Sequence, residues 1–162
     1  MDNVFLIAII GIIAVVLCLL LVVFVRKAER KRAKTLIAQI IRTRGRLNML
    51  DLEKETGAKI SFLKKMLYEV RQENSDLTGF FVNNNQEFVS EKFLLSWIQK
   101  LEKVSLFRFS SELGISEASG KEIIKGLIQK EKLSGTFTTD EENFITEQRI
   151  IEEIQGRLHE GN

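Results

Sequence analysis

The chain contains no proline, one cysteine and one histidine in 162 residues. A single cysteine, Cys18, excludes a disulfide framework and leaves no thiolate spacing for zinc. The lone histidine, His159, reads as a solvated surface side chain rather than a catalytic or metal-binding one. Gly-rich phosphate loops, nucleophile elbows and paired-histidine motifs are all missing. These absences argue against an enzyme, and no cofactor or metal is expected. The missing proline removes the usual helix breaker and suits a helix-rich chain.

What the chain does have is a long apolar run. Val4 to Val25 is a stretch of 22 residues without a charge. At ~1.5 Å per residue such a helix is about 33 Å long, enough for a hydrocarbon core of ~30 Å. The sequence therefore predicts a transmembrane helix. A cleaved signal would need basic residues before a shorter apolar stretch, whereas Met1-Asp2-Asn3 is acidic and the basic residues follow the run. Leu17 before Cys18 also lacks the small side chain of a lipoprotein site. Arg26, Lys27, Arg30, Lys31, Arg32 and Lys34 place six basic residues within nine positions after the run. They read as a membrane flank, where each can meet anionic headgroups at ~1 kcal/mol. By the positive-inside tendency the body is expected in the cytoplasm and the N-terminus outside, a single-pass membrane protein in contact with the lipid bilayer. From Thr35 onward the net charge is −2, so the basic character belongs to the flank.

The strongest internal signal is a duplication. Leu77-Thr78-Gly79-Phe80-Phe81 is followed by Phe88-Val89-Ser90-Glu91; fifty-six positions later Leu133-Ser134-Gly135-Thr136-Phe137 is followed by Phe144-Ile145-Thr146-Glu147. Between the halves lie the polar centres Val82 to Glu87 and Thr138 to Asn143. Apolar, aromatic flanks around an Asn/Asp-rich centre predict a β-hairpin twice.

The segments ahead of each hairpin also correspond. Ile60, Leu63, Met66, Leu67 and Val70 form one helical stripe, and Ile115, Ile123, Ile124, Leu127 and Ile128 another. Ser61 and Ser116 stand at expected N-caps, with Gly57 and Gly114 at the turns before them. Leu36, Ile37, Ile40 and Ile41, then Phe93, Leu94, Trp97, Ile98, Leu101 and Val104, predict a first helix for each repeat, and Leu106 to Phe109 a short strand.

Helix, strand, helix, turn, helix and hairpin is the winged-helix order. The expected fold is mainly α with small β-wings: an N-terminal transmembrane helix followed by two tandem winged-helix units. Its boundaries are a short extracytoplasmic N-terminus at 1–3, a transmembrane helix at 4–25 and a basic juxtamembrane helix at 26–34. Winged helices at 35–90 and 91–146 follow, then a C-terminal helix and tail at 147–162. In that tail Ile150, Ile151, Ile154 and Leu158 share one face, which either packs on the second unit or meets another chain.

Winged helices serve as nucleic-acid readers or as protein-interaction modules. A DNA reader concentrates Lys and Arg on its recognition helix and wing. Here no Lys or Arg lies between Phe80 and Phe88, and the second wing carries Asp140, Glu141 and Glu142. An acidic wing is repelled by phosphate, which favours protein binding. The candidate partner-binding residues are Phe80, Phe81, Phe137, Phe144, Ile150, Ile151, Ile154 and Leu158.

The plan of an apolar anchor, a basic flank and L-[ST]-G-x-F before a polar wing resembles the DDRGK-motif proteins. Leu77, Thr78, Gly79, Phe81 and Phe88 carry the likeness, echoed by Leu133, Ser134, Gly135, Phe137 and Phe144. Those proteins are membrane-anchored adaptors of the ligase that attaches the ubiquitin-fold modifier. The resemblance implies a tethered adaptor in ubiquitin-like modifier conjugation, with a winged-helix ligase subunit as partner. It also implies that a partial winged helix is completed by that partner. Related tandem winged helices occur in PCI-type scaffolds. Two other readings stay open: a membrane-anchored DNA-binding regulator, suggested by the turn Glu112-Leu113-Gly114-Ile115-Ser116, and a structural subunit of a membrane-remodelling complex.

Overall fold

A computed structural model describes residues 2–160, with the side chains of 13 and 15–157. It is mostly helical: among the described residues there are seven helices and two small three-stranded antiparallel sheets. Helix α1 runs from Asp2 to Arg44 and ends at Gly45, whose φ of 69° is left-handed and whose amide donates to the Ile41 carbonyl at 2.9 Å.

The described residues correct the expected membrane span. Of the 22 residues assigned to it, the side chains of 4–12 and 14 lie outside the described residues. The continuous described apolar stretch, 15–25, rises only about 16 Å at ~1.5 Å per residue, half of a ~30 Å hydrocarbon core. Among the described residues no helix is long and apolar enough to cross a membrane. The transmembrane part of the fold expectation, the single-pass topology and the cytoplasmic placement of the body do not stand on these residues.

After α1 come β1 (Arg46–Asn48), α2 (Met49–Thr56), α3 (Ile60–Glu73), β2 (Gly79–Val82) and β3 (Glu87–Ser90). Asn48 caps α2, accepting hydrogen bonds from the amides of Leu50 and Asp51 at 2.9 and 3.3 Å. The second repeat consists of α4 (Glu91–Leu101), β4 (Lys103–Ser105), α5 (Leu106–Leu113), α6 (Glu117–Gln129), β5 (Gly135–Phe137) and β6 (Asn143–Thr146). Helix α7 (Glu147–Glu160) follows. Each sheet places the second hairpin strand in the centre, in the order β1-β3-β2 and β4-β6-β5. The first turn tolerates three left-handed residues, Asn83, Asn84 and Asn85, because a short amide side chain can bond its own backbone.

Three local expectations are corrected. Val104, expected on the first helix of the second repeat, lies in β4, because α4 ends at Leu101. Leu106 to Phe109 is helical, and the strand lies just before it. Leu106, Phe109 and Leu113 all face the core at helical spacing, which a four-residue window cannot tell from a strand. Ser61 lies inside α3, whose N-cap is Lys59 without a side-chain cap, whereas Ser116 does cap α6, accepting from the Ser119 amide at 3.2 Å.

The apolar core falls into two clusters. One joins α1 (Ile37, Ile41) to α2, α3 and Phe88. The other joins Leu94 and Ile98 of α4 to α5, α6 and Phe144, and takes in Val82 and Val89 from the first hairpin. The hairpin of the first repeat thus contributes side chains to the core of the second. The two repeats are packed as one body.

Candidate protein-interaction surface

The basic residues after the apolar run are partly engaged within the fold. Arg30 pairs with Glu69 at 2.7 Å, and Lys34 reaches Glu69 at 2.9 Å and Glu73 at 2.6 Å. These contacts zip α1 to α3. The hydrogen bond to Glu73 raises the Lys34 pKa, and the hydrogen bonds from Lys34 and then Arg30 lower that of Glu69. Arg26, Lys27, Lys31 and Arg32 remain exposed.

The four candidate phenylalanines sit in the cores and the joint between repeats. Phe81 meets Phe88 edge-on at 5.6 Å, and Phe137 meets Phe144 at 5.4 Å. Phe144 is fully buried. Phe80 packs against the second cluster, with the Lys130 ammonium 5.7 Å from its ring centre. Of the tail residues, Ile150 is half-buried, while Ile151 and Ile154 are 48% and 55% exposed. The Leu158 side chain lies outside the described residues. Among the described residues, Ile151 and Ile154 are therefore the candidates left open to solvent.

Their environment becomes clear from the way α7 is rooted. The Ser90 amide donates to the Gly45 carbonyl at 2.8 Å, and the corresponding Thr146 amide donates to Glu102 at 2.8 Å. The Glu91 amide donates to Thr78 at 2.9 Å, and the Glu147 amide to Ser134 at 3.1 Å. Helix α7 leaves the second hairpin by the same bonds with which α4 leaves the first. Fifty-six positions separate the two helices, so Ile150 and Ile154 stand where Leu94 and Ile98 stand. Leu94 and Ile98 are both fully buried, under a body built from β4, α5, α6 and the second hairpin. Helix α7 has the position of a first helix, and among the described residues no body covers it.

A charged cluster lies at the start of α4. Glu91, only 3% exposed, receives hydrogen bonds from Lys130 at 2.6 Å, from Thr78 at 2.9 Å and from Lys132. Burial pushes its carboxyl up, but the bonds from Lys130, Lys132 and Thr78 together hold it at about 2. The duplicated motif made Glu91 visible in the sequence. Its lysine partners, about forty positions away, were not. No protein-family model matches the chain, and no curated protein matches it.

Proposed function

We propose that this protein is a protein-interaction adaptor or scaffold, and that α7 is its docking helix. The partner on this reading supplies a strand–helix–helix–hairpin body, which α7 completes as α4 completes the second repeat. One observation carries the proposal: Ile154 is exposed at the position where Ile98 is fully buried. An apolar side chain at a position built for a core gains from being covered. Since Ile154 is 55% exposed, the gain is about half of the ~1.5–3 kcal/mol of burying a whole isoleucine side chain. A winged-helix subunit of a ubiquitin-like-modifier ligase is the partner that the sequence resemblance suggests.

Nucleic-acid binding is less well supported. Glu141, at the tip of the second hairpin, engages Lys121 of α6, so an α6 lysine is already neutralised within the fold. The adaptor reading is tested by affinity purification from the native source, comparing the natural chain with Ile151→Asp and Ile154→Asp. A partner that is retained by the natural chain and lost from both variants, with unchanged melting temperatures, is the expected result. Equal recovery with all three chains would overturn the proposal.

A further inference from the structure

The first helices of the two repeats carry opposite charges at one equivalent position. Lys34 of α1 pairs with Glu73 at the end of α3 at 2.6 Å. Fifty-seven positions on, Glu91 of α4 pairs with Lys130 just beyond α6, also at 2.6 Å. The contact is the same and its polarity is reversed. Exchanging the two bodies would set Lys34 against Lys130 and Glu91 against Glu73, and both contacts would become repulsive. Each first helix thus fits one body and rejects the other, which is how charge is used to select partners in packed helices.

Helix α7 carries Glu147 at this position. Glu147 is exposed, and among the described residues no ion pair includes it. Ser134 occupies the place of Thr78, whose hydroxyl completes the set of bonds to Glu91. We infer that Glu147 is a selectivity residue, which admits a partner body bearing basic residues at the end of its second helix, as Lys130 and Lys132 do, and excludes one bearing an acid there, as Glu73 does. This inference rests on the adaptor reading and specifies the partner's chemistry. The second repeat's own body is the occupant of this kind already seen in the fold, and it serves as the probe.

The test extends residues 1–157 with a copy of residues 102–146, so that α7 takes the place of α4 before the copy. Amide hydrogen exchange in α7 is then measured. Protection of α7 should rise to the level of α4. Glu147→Lys should lower it about 30-fold, the low end for breaking a buried hydrogen-bonded charge pair. Changing the copy's lysines, Lys130→Glu and Lys132→Glu, should restore it in the Glu147→Lys chain. In the unextended chain Glu147→Lys should lower the protection of α7 only a few-fold, the effect of a basic residue at a helix N-terminus, and the copy's lysines play no part in it. If α7 is protected by the copy but indifferent to Glu147→Lys, the charge inference fails and the adaptor reading stands. If α7 stays unprotected, or the copy does not fold on it, the adaptor reading itself falls.

Discussion

The backbone amide of Asn83 donates to the carbonyl of Leu113 at 3.1 Å, fastening the turn of the first hairpin to the end of α5. The next residue, Gly114, caps α5 in a left-handed conformation with φ of 61°. A Cβ there would lie 3.2 Å from the Asn83 side chain. Gly57 caps α2 in the same way, with φ of 68°, but its added Cβ would meet only open space.

Gly57→Ala should therefore lose about 1 kcal/mol, the conformational penalty alone. Gly114→Ala pays the same penalty and also crowds the joint between repeats, so its loss should be about 2 kcal/mol. Chemical denaturation of the two variants measures the difference. Equal losses would show that the Asn83 contact relaxes freely.

The Glu91 cluster makes stability depend on acid. The carboxyl titrates at about 2 in the folded chain, below the ~4.3 of an unfolded glutamate. The unfolded state therefore takes up the proton first. The stabilisation is fully present above about pH 4.5 and is lost as pH falls toward 2. Its size is up to about 3 kcal/mol by linkage, reduced because Lys130 and Lys132 are half-exposed. Denaturant melts from pH 7 to pH 3 should show this slope, and Glu91→Gln should flatten it while lowering stability at pH 7.

Although Lys34–Glu73 and Glu91–Lys130 have the same length, they should not be equally important to stability. The Glu91 side chain is 4% exposed, whereas Lys34 and Glu73 are 24% and 58% exposed. Water and salt screen the first-repeat pair far more effectively. Lys34→Ala should cost clearly less than Glu91→Ala, and 1 M salt should abolish most of the Lys34 effect and little of the Glu91 effect. Thermal melts of both variants at low and high salt measure this.

Ile98 and Ile154 form a matched pair in different surroundings. Ile98→Asp places a charge in a fully buried site and should cost about 4 kcal/mol or more, enough to unfold the second repeat. Ile154→Asp, at a 55% exposed site, should change stability by no more than about 0.5 kcal/mol. Circular dichroism melts of the two variants check this. A large loss at Ile154 would mean that the fold already covers α7.

Much of the local structure was legible in the sequence because its causes are local. The hairpins follow from Leu-Ser/Thr-Gly, alternating aromatic residues and an Asn/Asp-rich turn. Gly57 and Gly114 mark helix ends because only glycine adopts the left-handed cap without strain, and Ser116 marks a helix start because its hydroxyl serves a free amide. Leu106 to Phe109 defeated the same reasoning, since a short apolar run has no distinct period until its neighbours supply a core.

Three further features were decided by the tertiary structure. Val82 and Val89 enter the core of the second repeat because the first hairpin lies against it, which no spacing along the chain encodes. Lys34 with Glu73 and Glu91 with Lys130 are pairs separated by about forty residues, and they became pairs only when the first helix of each repeat was laid beside the last turn of the third. The sequence presents Ile98 and Ile154 as equivalent members of apolar stripes. Burial separates them, because burial depends on whether a second body covers the helix. A body covers α4, and among the described residues none covers α7.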